Sequence, residues 1–159
     1  MQIRFPLPND RKALEKLLAD PQDNPFRPEE VACAQELLAA VLDPPPGNTY
    51  QALVGVDEHD IPRCYACFGN TPMTDATFDL YWMVTESALR GQGLGAHLLA
   101  ALEGVLTSAG ARTVRVETSS LEGNGGARRF YERCGYTVAG VIKDFYRLGD
   151  DLITLVKRL

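Results

Sequence analysis

Residues 89–95 read LRGQGLG. Three glycines, Gly91, Gly93 and Gly95, alternate with Gln92 and Leu94 behind a single cation, Arg90. The stretch lies between a run of strand formers ending in YWMVT and a run of helix formers. A helix N-terminus offers unpaired N–H groups and a partial positive charge. Glycines allow a bulky anion to approach that backbone. A pyrophosphate there would collect charge-assisted hydrogen bonds of about 1.5–3 kcal/mol each. The plain alternative is a tight strand-to-helix turn. The spacing is not GxGxxG, because the third glycine comes one residue early, and a dinucleotide fold usually opens on its glycine strand. No Lys-Ser/Thr follows, so it is not a Walker loop.

The elements that would hold this loop can be read from periodicity. QIRF is a short strand. NDRKALEKLLAD opens with an Asn/Asp cap and sets Leu14, Leu17 and Leu18 on one helical face. RPEEVACAQELLAAVLD starts with Pro28 and two glutamates, as a helix N-terminus prefers. These two helices are a substrate wall or simply cover for the core. Residues 49–57 form a strand, EHDIP a turn, and RCYACFG the hairpin partner. ATFDLYWMVT is a longer strand, with Phe78, Leu80 and Trp82 on one face and Asp79, Tyr81 and Met83 on the other. After the helix GLGAHLLAALEGVLTSAG come a strand (ARTVRVETSS), a helix (GGARRFYERCG) and two strands (YTVAGVIKD, DLITLVKRL). The order β-α-α-β-β-β-α-β-α-β-β predicts an α/β (α+β) fold, a mixed sheet with helices on both faces.

A length of 159 residues fits one domain over 1–159, large enough to bury a real core. The net charge of −5 argues against nucleic acid and is compatible with a cationic or amine substrate. No apolar run approaches a membrane span and the first residues lack an apolar signal core, so cytoplasm is the expected compartment. Cys64 and Cys67 form a lone CxxC on a strand, too extended to close a redox loop. His59 and His97 are the only histidines, and no metal site is expected.

A second motif follows the first. NGGARRFYERCGY begins 29 residues beyond Gly95, with Asn124 seven residues before Tyr131. The pairing of RGQGLG with it resembles the GNAT superfamily of acyl-coenzyme A-dependent N-acetyltransferases, most strongly from about residue 76 onward. FDLYWMV, VETSS, FYERCGY and KDFYRLGDD carry the likeness further. The resemblance implies a largely antiparallel sheet with one central parallel pair, YWMVT and RVETS, splayed to admit acetyl-coenzyme A. Met83, Val84 and Thr85 would then bond the pantetheine arm and thioester. Residues Arg90 to Gly95 would meet the pyrophosphate.

Acyl transfer to an amine needs a base for the amine proton, an acid for the departing thiolate and a donor for the oxyanion. The resemblance places Tyr131 near the sulfur, as the acid; the alternative is that Tyr131 packs in the core beside Phe130. Neighbours on a helix point about 100° apart, so Phe130 is expected in the core and Tyr131 at the site. Asn124 matches a coenzyme contact, or is a helix N-cap. Glu117 occupies a base position of some relatives, or is a sheet carboxylate paired with Arg115. Asp79 and Glu86 are rivals, and a water chain is a further alternative. Asp79, Tyr81, Phe145 and Tyr146 are candidate acceptor residues, and Asp150 and Asp151 could attract an amine, although a polar hairpin loop explains KDFYRLGDD as well. The expected activity is N-acetylation of a small-molecule or peptide amine in a ternary complex, by a monomer or homodimer. A non-catalytic acyl-coenzyme A-binding module of the same fold is the alternative. A dinucleotide oxidoreductase fits the spacing to Glu117 but lacks a second βαβ half.

Overall fold

The observed elements follow the expected order. β1 (Gln2–Arg4) precedes α1 (Arg11–Ala19) and α2 (Pro28–Leu42). Three consecutive strands follow, β2 (Tyr50–Val56), β3 (Pro62–Asn70) and β4 (Thr77–Thr85). Then come α3 (Leu94–Ser108), β5 (Thr113–Ser119), α4 (Gly126–Arg133) and the pair β6 (Thr137–Arg147) and β7 (Asp150–Arg158). The computed structural model describes residues 1–20, 26–121 and 126–159. The strands form one sheet in the order β1-β2-β3-β4-β5-β7-β6. Every neighbouring pair is antiparallel except β4 and β5, which are parallel. Among the described residues no helix is long and apolar enough to cross a membrane.

Each face of the sheet carries its own core. On one, α3 presents Leu98, Leu99, Leu102 and Leu106 at helical spacing to Leu53, Phe68, Leu80 and Val116. Full burial of each leucine is worth about 1.5–3 kcal/mol. α3 stops at Gly110, whose φ of 84° lets the Gly110 and Ala111 amides turn back to the Thr107 and Leu106 carbonyls at 3.0 Å. On the other face, Leu14, Leu17 and Leu18 of α1 and Ala34 and Leu38 of α2 cover Ala52, Val54, Tyr65 and Val84. α2 begins at Pro28 as expected, and the Glu30 carboxylate turns back to accept the Arg27 amide at 2.8 Å.

The start of α1 departs from expectation. Asp10 makes no side-chain cap to α1. Its carboxylate, 5 % exposed, accepts two bonds from Arg4 at 2.7 and 3.1 Å and one from the Leu7 amide at 2.7 Å. This ties edge strand β1 to the first helix. Burial raises the Asp10 carboxyl, but Arg4 and the Leu7 amide together outweigh it and hold it below the ordinary carboxylate value. A lowered native pKa contributes stability that is complete above the unfolded value, near 4, and drains away as pH falls through the native one. Asp10→Asn is therefore expected to lose about 2–3 kcal/mol at pH 7. Urea melts of the two proteins should converge as the pH is taken below the carboxylate range.

Two strands differ from their sequence reading. Leu80 pairs with Phe68 and Trp82 with Cys67, so Tyr81 is an extra residue in β4. Such a bulge resets the alternation. Trp82 therefore joins the α1/α2 face rather than that of Phe78 and Leu80, and Met83 crosses to the α3 face. β6, in turn, does not end in a polar loop at Asp144. It runs to Arg147 by bulging Lys143–Tyr146 opposite Asp151, with Asp144 at φ 53°. Lys143 first, then the Asp144 amide, hold the Asp151 carboxyl below its ordinary value. β6 is the far edge of the sheet, and all eleven of its residues are exposed.

Cys64 and Cys67 point into opposite cores of β3. Burial pushes their thiols up to about 11 and about 12. Cys134 is half-buried and also raised by burial, whereas Cys33 is exposed on α2.

Candidate active site

The parallel ladder between β4 and β5 is short. It joins Thr77–Leu80 to Thr113–Val116 and stops. Both strands continue, but each follows its outer neighbour: β4 stays with β3 to Thr85, and β5 stays with β7 to Ser119. The facing edges of Tyr81–Thr85 and Glu117–Ser119 thus part company at the bulge. The gap opens into a cleft of about 1120 Å³ that crosses the sheet from the α3/α4 side to the α1/α2 side. This is the splayed pair that the sequence resemblance implies. Met83, Val84 and Thr85 line one wall of it.

The glycine loop closes one end. Gly93 is the residue before α3 and adopts φ 82°, ψ −1°, and no side chain caps the helix there. Gly91 also has a positive φ, 76°. Added Cβ atoms at either would meet nothing within 4 Å, so glycine is needed for backbone conformation rather than for space. At Gly95 a Cβ would sit 3.4 Å from both Met83 and Phe130, a close approach of helix to strand. Arg90, Gly91, Gly93, Leu94 and Gly95 line the cleft. Arg90 Nε donates to the Thr85 carbonyl at 3.1 Å, which fastens the loop to the end of β4. The Gln92 amide instead turns back to the Ala88 carbonyl at 3.2 Å. Ala96, which the glycine pattern does not single out, also lines the cleft, in the first turn of α3.

α4 forms the next wall. Tyr131 is the buried member of its pair, 7 % exposed, and Phe130 the half-buried one, the reverse of the expected division. Both still line the cleft. The Tyr131 ring is held edge-on between Phe130 at 5.1 Å and Tyr136 at 5.4 Å. Asn124 lies outside the described residues.

Charged side chains occupy the α1/α2 side. Asp79 is 6 % exposed and accepts from Arg115 Nε at 2.6 Å. The same guanidinium lies 3.4 Å from Glu117, which is half in solvent. Glu117 thus faces the cleft while paired with Arg115. The Tyr81 phenol is raised, first by burial and then by Asp79. Glu86 is held by Arg63 at 3.0 Å and does not reach the cleft lining. Tyr146 lines the cleft, while Phe145 stands outside it, edge-on to Tyr146 at 5.1 Å. Asp150 accepts from the Ser119 hydroxyl and lies 3.3 Å from Arg147. Asp151 is taken up by Lys143 at 2.7 Å.

The sequence reading did not single out Phe26, Arg27, Glu30 or Arg147 as site residues, yet all four line the cleft. Phe26 packs edge-on against Trp82 at 4.8 Å. The only signal for it was an aromatic residue in a polar, proline-rich connection just ahead of Pro28. Among the described residues no group of three or more His, Cys, Asp or Glu is placed to hold a metal.

The family model described as an acetyltransferase (GNAT) domain matches residues 48–138. A solved structure from Desulfovibrio desulfuricans, itself assigned to the GNAT family, is 34% identical, with 99% of this chain and 98% of that one covered and a TM-score of 0.90. An aminoglycoside 6'-N-acetyltransferase complexed with coenzyme A is 20% identical over 99% and 97% of the chains, TM-score 0.72. The ribosomal-protein-S18-alanine N-acetyltransferase of Escherichia coli is 18% identical over 99% and 92%, TM-score 0.76. These last two share the fold. No curated protein matches the sequence. With more than half its length under one domain model and a one-third-identical relative along nearly all of it, the chain belongs to the GNAT acetyltransferase family.

Proposed function

We propose that the protein moves an acetyl group from acetyl-coenzyme A to a primary amine by direct attack, with both substrates bound together. The observation that carries this is the interrupted β4–β5 ladder with an uncapped α3 N-terminus at its end. A neighbour of the same fold holds coenzyme A. The residues fit that group. The amides of Leu94, Gly95 and Ala96, with Arg90 at the rim, suit a pyrophosphate. The unladdered edge of Met83, Val84 and Thr85 suits an amide-bearing arm.

Acetyl-coenzyme A supplies the acetyl group as an activated thioester. Backbone donors along Met83–Thr85 orient it and meet the oxygen that gains charge. Glu117, directly or through water, takes the proton from the incoming amine, which as an ammonium has no lone pair to attack with. As the new N–C bond forms the C–S bond breaks, the Tyr131 hydroxyl gives its proton to the departing sulfur, and the second proton shed by the nitrogen returns through water to the Tyr131 oxygen. Arg115, fastened by Asp79, fixes where the Glu117 carboxylate stands. Holding both reactants side by side supplies several kcal/mol of the barrier reduction.

The test is release of thiol from acetyl-coenzyme A across a panel of amines. Amine-dependent release is expected; tight coenzyme binding without turnover on a broad panel would favour the binding-module alternative. Glu117→Gln should move the optimum of kcat/KM to higher pH, because the variant must wait for the amine to lose its proton unaided. An unchanged profile would pass the role to water.

A further inference from the structure

The charges around the acceptor half of the cleft narrow the amine further, on the footing that the chain is an acetyltransferase as proposed above. Four carboxylates line the described cleft: Glu30, Asp79, Glu117 and Asp150. Each is met by an arginine that lines the same cleft. Arg27 lies 3.3 Å from Glu30, Arg115 lies 2.6 Å from Asp79 and 3.4 Å from Glu117, and Arg147 lies 3.3 Å from Asp150. Arg90, at the coenzyme end, and Arg133 on α4 also line the cleft, so among the described residues the acceptor half sets three arginines against four carboxylates.

We infer that the acceptor is a monoamine carried on an apolar or aromatic body, not a polycation. A polyamine or aminoglycoside needs several carboxylates able to meet its ammonium groups. Here each such contact would compete with an arginine already paired with that carboxylate. A lining whose described carboxylates are each already paired with an arginine also gives little field to draw a polycation in. One ammonium can be met at Glu117, the most exposed of the carboxylates and the one held at the longest distance. The body of the acceptor would find rings instead: Trp82 with Phe26 against its edge, Tyr81 braced at 5.4 Å by Tyr50, and Tyr146 across the cleft. Planar rings bind apolar bodies with little loss of conformational freedom.

The experiment compares 2-phenylethylamine with spermidine and an aminoglycoside, using the full chain and saturating acetyl-coenzyme A. The kcat/KM for the monoamine should exceed that of either polycation by at least about tenfold, and should change less than about twofold between low and high salt. A polycation preferred or equal, or an order-of-magnitude loss with salt, overturns the inference. Arg147→Gln releases Asp150 and should narrow the preference by about threefold without altering coenzyme affinity; an unchanged preference counts against it. Calorimetry with acetyl-coenzyme A separates the two readings. No binding sinks the proposed transfer itself, whereas normal binding with a polycation preferred sinks only this inference. If no amine turns over, Trp82, the only tryptophan, reports binding by fluorescence in the presence of coenzyme A. Tighter phenylethylamine binding supports the inference, and anything else overturns it.

Discussion

Ala96→Glu is expected to abolish coenzyme A binding while leaving the protein at least as stable as the parent. Ala96 is exposed, lies in the first turn of α3, and lines the cleft. A glutamate three residues after the N-cap is favourable for a helix, by about 0.3–1 kcal/mol, because it meets the dipole and the unpaired amides. Those are the groups a pyrophosphate would use. The new carboxylate occupies them and repels the incoming anion. Losing two charge-assisted bonds removes about 3–6 kcal/mol, so affinity should fall at least about 100-fold. Gly93 is a poorer place for the same charge. Its φ of 82° would add about 1–2 kcal/mol of backbone strain and confuse folding with binding. Calorimetric titration and a thermal melt read the two effects separately. Affinity retained within threefold would remove the phosphate role from this helix.

Tyr131→Phe is expected to lower kcat by about 100-fold, the low end of what a positioned general acid supplies, with coenzyme affinity changed less than about twofold. The substitution keeps the ring, so the edge-on contacts with Phe130 and Tyr136 and the packing on the core persist. What it removes is the O–H. The loss should shrink with acyl donors whose leaving thiol is more acidic, since such a thiolate departs without help. A purely structural role for Tyr131 would give the same loss with every donor, accompanied by a lower melting temperature.

The order of elements was legible because each carries its own periodicity. Leu98, Leu99, Leu102 and Leu106 mark α3 in sequence as plainly as in space, and Gly110 marks its end. The glycine loop ahead of α3 was legible for the same reason, since it is a run of consecutive residues. Non-local register was not. Nothing in TFDLYWMVT announces that Tyr81 is an extra residue, because the bulge is defined only against Phe68 and Cys67 on the neighbouring strand. That one residue sends Trp82 to the α1/α2 side. Likewise KDFYRLGDD reads as a loop, yet all of it but the Leu148–Gly149 turn is strand, because Asp151 replaces missing ladder bonds by gripping Lys143 and the Asp144 amide. The pairing of Asp79 with Arg115 spans 36 residues and depends on the parallel register of β4 and β5. Sequence placed Glu117 and Arg115 together but gave no sign that a second carboxylate would share the arginine.

The sheltered position of the cysteines has a practical consequence for measuring turnover. Disulfide reagents that report free coenzyme react with thiolate, not thiol. At pH 8 the Cys64 side chain, raised to about 11, is ionised in roughly one molecule per thousand, and Cys67 still less. Their sulfurs also lie inside the two leucine layers, out of reach of a bulky aromatic disulfide. Colour that develops quickly before any amine is added should therefore amount to one equivalent, from Cys33 on the outside of the second helix, with a slower second from Cys134, half-buried in the cleft lining. A background that climbs toward three or four equivalents would be a signature of unfolding rather than of catalysis.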